Sequence, residues 1–229
     1  TCSTRDRGSP NCCDSSCLDI ASGHVAVTTT STAAQNKRHR RTVLDYVSKW
    51  TAGLTYEAFL DRYATPEHRR RWDDVFKQVS LTPTQQTLLK SFQRDMQIMI
   101  VAGAWCGDCI QQCPIFEHFA LQSGRLQFRY FDRDDHSDLA DHLSICGGRR
   151  VPSVLFLAED GSPCGRYGDR TLSKYRDMAA SLSGAACPTG LVPQGQTLLQ
   201  NVTQDWLDEI ERIQLMLRLS PRLRQKHGD

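Results

Sequence analysis

Several things are missing from these 229 residues, and the gaps narrow the range of functions. No apolar run approaches the roughly 20 residues of a membrane-spanning helix, so no membrane partner is expected. Charge of one sign is scarce. The 28 Lys and Arg against 26 Asp and Glu leave a formal net charge of +2, too little to draw the chain to nucleic acid. The basic runs Lys37-Arg38-His39-Arg40-Arg41 and His68-Arg69-Arg70-Arg71 are local and read as solvated stretches or helix faces. A secretory apolar region is absent: residues 21–34 are rich in Ser and Thr and only mildly apolar, in a sequence that opens on Thr1 rather than Met. There is no second C-x-x-C and no H-x-x-x-H pair, which leaves a zinc site short of ligands.

What is present is ordinary globular material, 39% hydrophobic and 24% charged, with 10 unevenly placed cysteines. The cysteines form no tidy extracellular framework, so a reducing, cytoplasmic setting is expected. The length suits one good core with accessories, or two small domains. Residues 1–41 hold few large apolar groups and are expected to be a disordered tail. Cys2, Cys12, Cys13 and Cys17 read as incidental thiols there, with metal binding or mutual pairing as the alternative. Residues 42–94 read as a helical subdomain. A first helix opens near Thr42. Thr55, Thr65-Pro66 and Thr82-Pro83 carry start signals for three more. Their aromatics, Tyr56, Phe59, Tyr63, Trp72 and Phe76, sit at helical spacing and read as core rather than a ligand box.

Residues 95–183 alternate strand and helix in the order β-α-β-α-β-β-α: strands at Met96–Ala102, 126–131, 153–158 and 165–167, helices after Cys109, near Leu139 and from Leu172. Residues 184–229 read as a linker and a C-terminal helix. Thr203 is its expected cap, Trp206, Leu207, Ile210, Ile213 and Leu217 its apolar face, and Pro221 its stop before a fraying basic tail.

The chemistry centres on Ala104-Trp105-Cys106-Gly107-Asp108-Cys109, at a strand-to-helix junction. Unpaired N–H groups and the positive end of the helix dipole favour a thiolate at Cys106. Cys109 lies one turn on, within reach of a disulfide. That arrangement suits thiol–disulfide exchange, with Cys106 attacking and Cys109 resolving. The metal alternative is a thiolate site from Cys106, Cys109 and Cys113, for which no fourth ligand is evident. Cys113 reads as a small core residue or an auxiliary thiol on the face of Cys109. Asp108 has two readings: its charge opposes a thiolate at Cys106, or it simply complements the helix dipole. Cys146, Cys164 and Cys187 have no pattern. Arg149 and Arg150 read as a solvated loop or a preference for an acidic partner.

Trp105-Cys106-Gly107-Asp108-Cys109, Pro114 five residues after the second cysteine, and Val151-Pro152 opening an apolar strand together resemble the thioredoxin family over about Met96 to Ser183. The chain is similar to a bacterial WCGDC subset with helical sequence ahead of the fold. The resemblance implies an α/β thioredoxin fold, a mixed central sheet with helices on both faces, here with a helical N-terminal extension and a C-terminal helix. It implies a protein-disulfide reductase that needs no bound cofactor, with Cys106 and Cys109 catalytic and Trp105, Gly107, Asp108 and Pro152 in support. Pro152 becomes the cis-proline that, with Val151, receives substrate. The implied partners are a disulfide-containing protein or small thiol and a thiol reductant or reductase. A binding module without turnover is the rival reading. The family's buried acid, six residues before the first cysteine, is replaced by Ile100. Slow resolution by Cys109 is therefore expected.

Overall fold

A computed structural model describes residues 44–183 and 197–229. The tail 1–41 with its four cysteines, and Cys187 in the expected linker, lie outside the described residues. Four helices come first: α1 (Tyr46–Trp50), α2 (Tyr56–Tyr63), α3 (Pro66–Gln78) and α4 (Pro83–Lys90). Their starts follow local chemistry. The Asp45 carboxylate accepts from the Val47 and Ser48 N–H groups, so α1 begins at Tyr46; the expected opening near Thr42 lies outside the described residues. Thr55, Thr65 and Thr82 cap α2, α3 and α4 as read from the sequence, with Pro66 and Pro83 in the first turns of the latter two. His68 and Gln85 complete capping boxes on α3 and α4.

The βα portion runs β1 (Met96–Ala102), α5 (Gly107–Gln122), β2 (Leu126–Asp132), α6 (Ser137–His142), β3 (Ser153–Ala158), β4 (Pro163–Gly168) and α7 (Leu172–Ser183). The sheet order is β2-β1-β3-β4, with β1 parallel to β2, and with β3 antiparallel to both β1 and β4. Helices cover both sides of this mixed sheet, the α/β thioredoxin fold. β1 and β3 are apolar on both faces because both faces are covered. Ile98, Met99, Ile100 and Val101 are completely buried beside Phe156 and Leu157.

The helical segment does not keep a core of its own. Tyr56, Phe59, Trp72 and Leu89 join the same buried cluster as β1, β3 and α5. Leu54 also exchanges backbone hydrogen bonds with Tyr130 of β2, at 2.9 and 2.8 Å.

After residue 196 the chain forms α8 (Leu198–Leu219) and α9 (Pro221–His227). The expected boundary at Thr203 is corrected: Thr197 is the cap and Gln200 completes its capping box, so the helix starts earlier. Thr203 is buried inside α8 and donates its hydroxyl to the Leu199 carbonyl at 2.8 Å. Ser220 is extended, as a residue before proline prefers, but Pro221 then opens α9 rather than a frayed tail. Leu223 is fully buried, and the nearly buried Arg94 holds Asp229 at 2.5 Å. Trp206, Leu207, Ile210 and Ile213 are completely buried, each contributing roughly 1.5–3 kcal/mol of transfer free energy. Among the described residues no helix is long and apolar enough to cross a membrane.

Candidate active site

The β1–α5 junction presents the two cysteines differently. Cys106 is the N-cap of α5 and half-buried; Cys109, one turn inside, is completely buried. Both are free thiols. Gly107 opens α5, and nothing stands where its side chain would be. The Val151–Pro152 peptide bond is cis, and the Cys106 Sγ lies 3.6 Å from the Val151 carbonyl oxygen. Trp105 is 46% exposed and flanks Cys106. The ring lies against Gly103, where a Cβ would come 2.8 Å from the indole and push it outward.

The thiols are coupled. The neighbouring Cys109 sulfur pushes Cys106 up, burial adds to this, and the backbone N–H groups of Cys109 and Asp108 pull it down. Burial pushes the Cys109 thiol well above its ordinary range. Two thiolates side by side repel, so the pair gives up one proton first. The helix-terminal N–H groups and the greater exposure of Cys106 assign that first charge to its sulfur. Arg133 favours the same outcome. Its guanidinium sits 4.6 Å from the centre of the Trp105 ring and is close enough to Cys106 for the two to attract.

Asp108 does not lean on Cys106 unopposed. Its carboxylate meets Arg170 at 2.6 Å, on the loop after β4. Arg170 also approaches the buried Asp169, which Arg150 holds at 3.2 Å and the Tyr175 hydroxyl donates to. Arg150 is therefore tied into the site, while Arg149 forms an exposed ion pair with Asp141.

Two tryptophans anchor the junction. Trp72 of α3 donates its indole N–H to the Ala104 carbonyl at 2.9 Å. Trp206 of α8 donates to Gln112 Oε1 at 2.9 Å, and the Gln112 amide nitrogen donates to the carbonyls of Asp169 and Asp108. Neither tryptophan role, nor Arg133, nor Arg170, was singled out from the sequence. Gln112, a polar side chain on the otherwise apolar face of α5, was the available signal.

Behind the cysteines, Ile100 is fully buried in β1 between Tyr130 of β2 and Val154 of β3, so no acid occupies that position. Cys113 is completely buried, one turn beyond Cys109 on the same face of α5. Among the described residues no three or more His, Cys, Asp or Glu side chains are grouped as a metal ion would require. Cys146 is exposed and Cys164 half-buried on β4.

The comparisons fit this geometry. A curated thioredoxin from Borreliella burgdorferi is 33% identical over 75 residues, 32% of this chain and 62% of that protein's own length. The chain thus spans less than two thirds of that relative. Among solved structures, a Pseudomonas aeruginosa protein of unknown function superposes with a TM-score of 0.58 at 16% identity, covering 74% of this chain and 98% of that one. An HIV epitope scaffold gives the same TM-score, 0.58, at 18% identity, covering 74% and 99%. Those two likenesses speak for the fold alone. The thioredoxin family model matches residues 53–182, reaching back into α2–α4 beyond the expected start at Met96. That match takes in more than half of the sequence, and the chain belongs to the thioredoxin family.

Proposed function

We propose that this chain is a thiol–disulfide oxidoreductase that reduces disulfides of proteins or small thiols. The Cys106 thiolate attacks one sulfur of the substrate disulfide, forms a mixed disulfide and releases the first substrate thiolate. Cys109, having lost its proton, attacks Cys106 Sγ. The Cys106–Cys109 disulfide forms, and the second substrate thiolate leaves. A thiol reductant or reductase then resets the pair. The cis Val151–Pro152 segment offers backbone to an extended substrate beside Cys106, Trp105 shields the sulfur, and a reducing cytoplasm is the setting.

One observation carries this reading: a half-buried cysteine caps α5 against the Val151 carbonyl while its partner lies fully buried one turn behind. Attack is open to solvent and resolution is internal. The test is insulin reduction with dithiothreitol, together with trapping of mixed disulfides. Cys106→Ser abolishes turnover, and Cys109→Ser accumulates covalent adducts. Inert wild-type protein would identify a binding module instead, and adducts on Cys106→Ser would reverse the two roles.

A further inference from the structure

Four arginines sit on the loops beside the cysteines: Arg133 after β2, Arg149 and Arg150 before β3, and Arg170 after β4. They are tied down in two ways. Arg133 and Arg149 each spend two guanidinium nitrogens on one aspartate, Asp134 and Asp141 respectively. Those aspartates are more exposed than the arginines they pair with, so each pair presents its anion to solvent. Arg150 and Arg170 are the reverse. Arg150 is 44% exposed over Asp169, which is 4% exposed, and Arg170 is slightly more exposed than its partner Asp108. Here the cations are the outer members.

Asp169 organises this second group. Its Oδ2 lies 3.2 Å from Arg150 Nη1 and 3.6 Å from Arg170 Nη1, so two guanidinium groups converge on one oxygen. Its Oδ1 accepts from the Tyr175 hydroxyl. Burial alone would push the Asp169 carboxyl up. The Tyr175 hydroxyl, its own backbone N–H and Arg150 outweigh this and hold it below the ordinary carboxylate range. Asp169 is therefore a fixed anion at neutral pH. Arg150 gives it one nitrogen of a fork that carries five N–H donors, which leaves donors for a ligand. Two cations held side by side, with donors to spare, suit a carboxylate, the planar group that a guanidinium fork matches.

The pair also lies where a substrate passes. Arg150 directly precedes Val151, whose carbonyl meets Cys106 Sγ at 3.6 Å. Arg170 holds Asp108, two residues after Cys106. A chain extended along Val151–Pro152 runs by both. Resting on the exchange proposed above, we propose that Arg150 and Arg170 form a subsite for an acidic side chain of a peptide substrate, within a residue or two of its disulfide cysteine. The substrate class is then disulfides in acidic protein segments. Arg149, whose fork is spent on Asp141, takes no part.

The experiment compares synthetic peptide disulfides that differ only in Glu, Gln or Lys beside the cysteine, in two sets, before it and after it. The rate of mixed-disulfide formation with the reduced protein is divided by the rate of the same peptide with dithiothreitol, which removes the intrinsic effect of the substituent. Glu should exceed Gln by about fivefold, the upper range for one exposed ion pair. Lys should fall below Gln, and the spread should shrink at high salt. Arg150→Gln and Arg170→Gln should each cut the Glu-to-Gln ratio, in which any change in Cys106 reactivity cancels. Arg150→Lys should keep part of the ratio and Arg149→Gln all of it. Equal rates for Glu and Gln in both wild-type sets, or a preference that survives Arg150→Gln, would overturn the subsite while leaving the exchange intact. Bis(carboxymethyl) disulfide against its diamide is the small-molecule arm: a preference there, with none among the peptides, would overturn the peptide as the occupant. A reduced protein that reacts with no disulfide would overturn the exchange itself.

Discussion

Trp72 and Trp206 make an instructive pair. Both are completely buried, and both spend the indole N–H on the segment that carries the cysteines. Trp72 comes from the helices ahead of the sheet and packs on Tyr56 and Phe59, with ring centres 5.6 and 6.0 Å away. Trp206 comes from the helix after it and packs on Phe116 and Tyr167, at 4.7 and 5.0 Å. The difference lies in what each N–H holds. Trp72 grips one backbone carbonyl directly, two residues before Cys106. Trp206 grips a side chain, Gln112, which passes the hold to two carbonyls on separate segments. One brace is a single bond; the other is a three-bond junction that also fixes the loop bearing Arg170. The extensions at the two ends of the fold are thus part of the scaffold of the candidate site, not decoration on it.

The largest effect expected is the same for both. Trp72→Ala and Trp206→Ala each empty a fully packed site and should cost about 3–5 kcal/mol of stability, read from urea unfolding. A loss below 1 kcal/mol at either would mean that its extension is not held by the core. Subtler changes should then separate the braces. Gln112→Leu keeps the volume but leaves the Trp206 N–H and the Asp169 carbonyl buried and unpaired, at about 1–3 kcal/mol for each stranded group. Trp72→Phe strands only the Ala104 carbonyl and should cost the smaller amount, about 1–2 kcal/mol. Equal losses would break the distinction between a single bond and a junction. In the double variant Gln112→Leu with Trp206→Phe the losses should be well below additive, because both changes empty the same bond.

These braces also explain which parts were readable in advance. Threonine caps followed by proline announced α3 and α4 because the signal is local: a hydroxyl three residues from the N–H it satisfies. Met96–Ala102 and 153–158 were readable as buried strands because both faces are covered and the runs are continuously apolar. Cys106, Cys109 and Pro152 came from the motif. The indole bonds were not legible, since Trp72 lies 32 residues from Ala104 and Trp206 lies 94 from Gln112. Apolar periodicity locates such a ring in the core without saying where its N–H goes. The same holds for Arg170, 62 positions after Asp108 and paired with it only once β4 has been laid beside β3. The start of α8 was misplaced for a local reason: Thr197 and Thr203 both look like caps. Gln200, three residues after Thr197, was the deciding residue.

The smallest effect concerns reactivity rather than stability, and it tests what the Gln112 junction holds in place. Arg170 neutralises Asp108 beside the Cys106 end of α5, and both side chains remain partly exposed, at 23% and 18%. Solvent therefore screens much of their interaction. Arg170→Gln leaves the Asp108 charge uncompensated in the first turn of the helix. An anion there disfavours a second anion on Cys106, so the pH midpoint of iodoacetamide alkylation should rise, by about one unit or less. Asp108→Asn works in the opposite direction: it removes the anion, leaves Arg170 with Asp169 as its remaining acidic neighbour and better able to attract the thiolate, and should lower the midpoint. The double variant should fall back near the wild type, because the pair is close to neutral in both. Gln112→Leu, by loosening the loop that carries Arg170, should mimic Arg170→Gln in part, whereas Trp72→Phe should leave the midpoint alone. An unmoved midpoint in Arg170→Gln would mean that the Asp108 charge is not felt at the sulfur. The two braces would then differ in stability only.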